Sequence, residues 1–163
     1  MKHALLTLGV ATLLMVGCAT PLPAPGTARD DVLRTWGAPT GRYELLAGAE
    51  RLEYATGPYG RMTWMIDLDA AGRVTQARQV LNEAEFMEVQ VRAGNGLTRD
   101  ELLSRIGRPG ERRHGGWAGG EVWSWRYPTN DCLWFQVSVD DSGAVRSGAF
   151  GTDPRCDVGS IRR

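Results

Sequence analysis

The chain has 163 residues, 42% of them hydrophobic and 23% charged, which suits one compact domain or two very small ones and excludes a disordered or polytopic chain. Its 19 basic and 19 acidic side chains cancel, so no overall field favours nucleic acid. After Lys2 every cationic side chain is an arginine, and these are scattered without forming a stripe. Glycine (21) and tryptophan (6) are frequent, which fits turn-rich sheet with bulky inward side chains.

The N-terminus has the form of a secretory leader. Lys2 and His3 precede the apolar run Ala4–Val16 (ALLTLGVATLLMV). A bilayer span needs about 20 apolar residues, so this run suits a leader better than a span. It closes on Leu14-Met15-Val16-Gly17-Cys18, which resembles a bacterial lipobox. Residues 1–17 are therefore expected to be a lipoprotein signal peptide, with Cys18 the lipidated N-terminus of the mature chain. Acyl chains there would anchor it firmly, at about 0.8 kcal/mol per buried CH₂. Ala19, rather than Asp, after the cysteine favours the outer membrane by resemblance to sorted lipoproteins. Residues 18–26 continue as a proline-rich tether, whose extended backbone is expected to lift the folded part off the membrane.

Two segments then repeat. Gly26-Thr-Ala-Arg-Asp-Asp-Val-Leu-Arg-Thr-Trp-Gly-Ala-Pro39 matches Gly96-Leu-Thr-Arg-Asp-Glu-Leu-Leu-Ser-Arg-Ile-Gly-Arg-Pro109 at an offset of 70 residues. Later blocks match at 71: Glu50–Tyr54 with Glu121–Trp125, and Trp64, Ile66, Leu68, Asp69 and Gly72 with Phe135, Val137, Val139, Asp140 and Gly143. Ordered blocks at a nearly fixed offset point to a duplicated unit. The expected modules span residues 27–80 and 81–150, followed by a tail at 151–163.

Each unit reads as a helix followed by antiparallel strands. Thr27 and Thr98 are candidate N-caps, and Thr98 with Glu101 forms a capping box. Val32, Leu33 and Trp36 share a helical face, as do Leu102, Leu103 and Ile106. Gly37 and Gly107 stop the helices, and Pro39 and Pro109 block continuation. Leu52 with Tyr54, and Trp123 with Trp125 and Tyr127, alternate along strands. So do Met62–Leu68 and Leu133–Val139. Asp69–Gly72 and Asp140–Gly143 are turns into last strands near Arg73–Val80 and Ala144–Phe150. Leu81–Val89, capped by Asn82, is a short helix opening the second unit. The expected fold is thus α+β: a tandem repeat of helix(es) plus a three- to four-stranded antiparallel meander, with the helices packed on one sheet face.

These features resemble the SmpA/OmlA (BamE) lipoproteins: a small helix, a Thr/Arg-acidic-acidic-Val/Leu-Leu segment, Gly-x-Pro, a Trp-rich strand and an Asp-x-x-Gly turn, clearest over Asn82–Val145. The resemblance implies a small domain on a lipidated cysteine at the outer membrane, assisting the machine that inserts β-barrels. The tandem arrangement is similar to that of secreted β-lactamase inhibitor proteins. Two copies and the tail from Gly151 to Arg163 depart from the single-copy assembly factor.

With Cys18 lipidated, Cys132 and Cys156 remain as an even pair in an oxidising compartment, which favours a disulfide. Cys132 falls on the face opposite Leu133, Phe135 and Val137, where a tail packed over the sheet could meet it. No catalytic constellation is legible. His114, the one histidine of the mature chain, sits in the glycine-rich Arg112–Gly120 stretch, expected to be a solvated loop. The glycines lack the Lys-Ser/Thr of a P-loop. Asp67–Gly72 lacks calcium ligands at Ala71 and Arg78, and Cys132, Cys156 and His114 make no zinc set. No cofactor, metal or nucleic acid is expected. Of the aromatic residues, Trp117 and Trp134 are the candidate binding positions, with Trp123 and Trp125 alternating into the core. The sequence therefore suggests a non-catalytic interaction module, held to the membrane by lipid and docked on an envelope protein complex. The alternative is a tethered ligand-binding or enzyme-inhibitor module.

Overall fold

The computed structural model describes residues 20–56, 61–115, 119–127 and 130–159. In chain order these give α1 (Arg29–Trp36), β1 (Gly41–Glu44), a 3-10 turn (Leu46–Gly48), β2 (Glu50–Thr56), β3 (Met62–Leu68), β4 (Val74–Gln79), α2 (Glu83–Arg92), α3 (Arg99–Ile106), β5 (Glu111–His114), β6 (Glu121–Tyr127), β7 (Asn130–Val139), β8 (Val145–Thr152) and a 3-10 segment (Pro154–Gly159). The strands form two antiparallel sheets of four, ordered β1-β2-β3-β4 and β5-β6-β7-β8.

The local signals explain much of this. Asn82 Oδ1 accepts the Glu85 amide at 3.1 Å and starts α2. At α3, Thr98 Oγ1 accepts the Glu101 amide while Glu101 accepts the Thr98 amide, closing the capping box. The corresponding bonds at α1 are absent: Ala28 holds the N-cap position and supplies no side chain to it. Asp69 Oδ1 accepts the Ala71 and Arg73 amides, both at 2.9 Å. Asp140 Oδ1 repeats the arrangement with Ser142 and Ala144. The hydrogen bonds from Ser142 and the Ala144 amide, with that from Arg146, pull the Asp140 carboxyl down to about 2 despite a small opposing cost of desolvation.

The architecture corrects the expected tandem helix-plus-meander. Although α+β-like in content, the chain is dominated by two four-stranded antiparallel sheets, and its helices do not repeat with them. One eight-residue helix precedes the first sheet and two precede the second. Nor are the helices confined to one face of the first sheet. Its Leu52, Tyr54, Ile66, Leu68 and Val74 side pack with Val32 of α1. Its opposite side carries Met65, which joins Phe86, Val89, Leu102 and Ile106 of α2 and α3 in the larger core, with Tyr43 packed against it. The same core includes Trp123, Trp125, Phe135, Val137, Val139 and Val145 of the second sheet. The layers therefore run α1, first sheet, α2 with α3, second sheet. Both faces of the first sheet are covered because α2 and α3 serve two sheets at once. Phe86 and Phe135, stacked with ring centroids 4.7 Å apart, lie in that shared layer.

Two strands lie where the sequence shows no apolar alternation. β1 and β5 are short, polar edge strands; besides the backbone ladder to β2 and β6 they make side-chain contacts, from Tyr43 to Glu53 and from Arg112, 4.1 Å from the Trp123 ring. β5 ends at His114, so that residue closes an edge strand before the glycine-rich stretch.

Candidate functional site

The proline-rich stretch does not hang free where it is described. The Trp36 indole Nε1 donates to the Pro21 carbonyl at 3.2 Å. The Gly26 amide donates to Val74 O at 2.7 Å, and the Thr27 amide to Ala24 O at 3.1 Å. Thr20–Gly26 is thereby laid along the edge of α1 and the first sheet. This differs from the spacer expected of three prolines, because their fixed backbone suits docking as well as extension.

Docking leaves a cleft of about 460 Å³ beside the tether, lined by Leu22, Trp36, Tyr54, Met62 and Trp64 with three threonines. Trp36 meets Tyr54 and Trp64 edge-on, at centroid distances of 5.3 and 6.2 Å. The Tyr54 hydroxyl donates to Gly37 O at 3.1 Å, fixing the end of α1. Burial is the main cause that raises the Tyr54 phenol above its ordinary value. Leu22 and Met62 remain open to solvent at the rim, 47% and 39% exposed.

A larger cleft, about 670 Å³, opens between the first sheet and α2–α3 and is lined with arginines. Its charges are largely consumed by the fold. Arg51 makes two bonds to Asp67, at 2.5 and 2.8 Å, and a third to Ser104 O at 2.8 Å. Arg78 and Arg105 both face Glu85, at 2.7 and 2.8 Å. Arg92 pairs with Glu101 at 2.9 Å. Behind this cleft lies Glu53, fully buried on β2. Its carboxylate accepts from the Tyr43 hydroxyl, from Thr40 Oγ1 at 3.1 Å and from the Arg108 amide at 3.1 Å. Burial, and then the bond to Glu53, raises the Tyr43 phenol well above the ordinary range.

The outer face of the second sheet holds the other sequence candidates. Trp134 is 2% exposed, with the guanidinium groups of Arg113 and Arg126 at 5.3 and 5.6 Å from its ring. Its faces are thus occupied by the chain's own cations rather than presented as a platform. Arg126 bonds the buried Asp153 at 2.6 and 3.3 Å. Burial works to raise the Asp153 carboxyl, but the bonds from Arg126 and the Arg155 amide outweigh it and hold it low. Next to this pair the tail is bolted to β7 by the Cys132–Cys156 disulfide, with Cα atoms 5.5 Å apart. Cys132 lies on the face opposite Phe135 and Val137, as the alternation predicts. Trp123 and Trp125 are core residues. His114 is solvated, its imidazole 92% exposed and 3.6 Å from Glu121. Trp117 and Cys18 lie outside the described residues. Among the described residues no cluster of three His, Cys, Asp or Glu could hold a metal, and no helix is long and apolar enough to cross a membrane.

Sequence reasoning missed the docked tether and the buried Glu53. Trp36, Tyr54 and Trp64 were legible as inward-facing positions, but nothing in the pattern showed that they line a cleft beside Leu22.

No protein-family model and no curated protein matches the chain. Among solved structures it is similar to a cysteine-rich secretory protein from Staphylococcus aureus, at 11% identity and a TM-score of 0.30, covering 80% of this chain and 44% of that one. It is also similar to an extracellular protein containing a SCP domain from Bacillus anthracis, at 13% identity and a TM-score of 0.33, covering 91% of this chain and 51% of that one. The chain spans about half the length of these structures. At such scores the likeness says nothing about what the chain does.

Proposed function

We propose that this chain is a lipid-anchored outer-membrane lipoprotein, acting without catalysis as an interaction module accessory to outer-membrane protein assembly or envelope integrity. The supporting observation is the Cys132–Cys156 disulfide. A closed disulfide suits an oxidising compartment beyond the inner membrane, which is where the apolar leader ending at Cys18 would deliver the chain. The pair also leaves Cys18 as the cysteine without a disulfide role, as an acylation site requires. The arginine-lined cleft adds to this reading, since its Arg51, Arg78 and Arg105 are held in ion pairs that build the fold. The partner class comes from the resemblance to the SmpA/OmlA (BamE) lipoproteins.

Fractionation tests the anchor. Cys18→Ala should move the protein from membranes to the soluble periplasm, and retention with membranes would rule the anchor out. Mild cross-linking tests the role. Recovery of barrel-assembly components supports an accessory module, whereas recovery of a single soluble hydrolase or a glycan would favour a ligand-binding or inhibitor module.

A further inference from the structure

The docked tether bears on how the folded part sits against the membrane. Pro21 is fixed to Trp36, and the main chain is bonded to the first sheet from Gly26 onward. Only Ala19 and Thr20 separate Cys18 from Pro21. Each residue spans at most about 3.6 Å, so Cys18 lies within about 11 Å of Pro21. An acylated cysteine has its chains in the hydrocarbon layer, beneath a headgroup zone roughly 5–8 Å deep. The edge of the fold carrying Pro21 is therefore brought to headgroup level.

That edge has the chemistry of a membrane interface. Leu22 and Met62 project at the rim of the cleft, and Trp36, Tyr54 and Trp64 form its walls. Among the described residues that line it, none carries a charge. Tryptophan and tyrosine favour the headgroup boundary because each has an apolar body and one polar handle. We propose that this face is a membrane contact, seated on the phospholipid surface beside the lipidated cysteine, so that the protein lies against the bilayer rather than standing off it. This rests on the lipidation of Cys18. The contact is apolar, so it is expected to be indifferent to lipid charge and to salt.

The test places a fluorophore at each end of the first sheet. With Cys18 acylated and Cys132–Cys156 closed, Met62→Cys introduces the one reactive thiol. Leu46→Cys is the control, because Leu46 is 92% exposed on the turn at the far end of β2, about 20 Å away. Each labelled full-length protein is reconstituted in vesicles of phosphatidylcholine with a minor share of phosphatidylglycerol, one lipid bearing a doxyl quencher. Intact mass establishes the acyl chains first. Quenching should be several-fold stronger at position 62 than at 46, and unchanged in molar salt. Equal quenching on acylated protein would overturn the seating alone, including the case where an acyl chain or a protein fills the cleft instead. An unacylated Cys18 would overturn the anchor and the seating with it.

Discussion

The Glu53 carboxylate on β2 accepts the backbone amide of Arg108, just past the end of α3, at 3.1 Å. These residues stand 55 positions apart and join the first sheet to the helices that cover the second. Gly107 makes the approach possible. A Cβ there would come within 2.7 Å of Thr63 Cγ2 and 3.1 Å of the Glu53 carboxyl carbon.

Gly107 and Gly37 therefore provide a matched pair. Both end a helix at φ 77 with an extended ψ, a region that is essentially glycine's own. A Cβ on Gly37 would meet nothing within 4 Å. Gly37→Ala should carry only backbone strain, of order 1–3 kcal/mol. Gly107→Ala should cost about 1–3 kcal/mol more, because it also overpacks the seam. Urea unfolding of both variants measures the difference, and equal losses would mean the layers are not closely joined at Glu53.

Tyr43 makes the same seam sensitive to alkali. Its phenol is raised by burial and by the bond to Glu53. The neutral form is favoured in the folded state, so its contribution is complete below the unfolded phenol value near 10 and is lost as pH rises beyond it. Tyr43→Phe should be less stable at neutral pH, by about 1–3 kcal/mol for the lost bond to a carboxylate. It should also show a shallower fall in stability above pH about 10. Parallel slopes for the two proteins would remove Tyr43 from that account.

The Arg126–Asp153 pair predicts the opposite limb. The Asp153 carboxyl is lower in the folded chain, so its contribution is complete above the unfolded value near 4 and is lost as pH falls through the folded one. Asp153→Asn leaves the Arg126 charge in a site where only 5% of its side chain is exposed, with Glu111 more distant at 3.6 Å. A loss of about 3–5 kcal/mol is expected at neutral pH. Thermal unfolding between neutrality and pH about 3 should show a weaker acid dependence in the variant.

The Cys132–Cys156 link joins positions 24 apart and encloses most of β7, all of β8 and the start of the tail. Replacing both cysteines with serine should lower stability by about 3 kcal/mol, because the unfolded chain, freed of the cross-link, gains conformational entropy. A reductant should reproduce that loss in the parent protein and leave the double variant unchanged.

Much of the local structure was legible because it rests on neighbours in sequence. Thr98 with Glu101, Asn82 with Glu85, and the Asp69 and Asp140 turns each need only a few residues to specify them. The disulfide was legible from an even pair and a strand's alternation. What the pattern hid depends on distant partners. Glu53 alternates with Leu52 and Tyr54, so it reads as solvent-facing; it is buried because α3 lands on that side of the sheet. The same event puts Met65 in the core of the other sheet and undoes the picture of two like units, each with helices on one face. β1 and β5 were missed since short edge strands, held by the backbone ladder and by polar contacts such as Tyr43 to Glu53, need no apolar alternation. The docked tether was missed because proline-rich composition fixes backbone shape without saying what lies beside it.

Mass spectrometry of the mature protein isolated from the cell envelope bears most directly on the proposed anchoring. Cys18 should be the first residue and should carry acyl chains, with Cys132 and Cys156 recovered as one linked peptide. An N-terminus elsewhere, or an unmodified Cys18 thiol on membrane-derived protein, would contradict it.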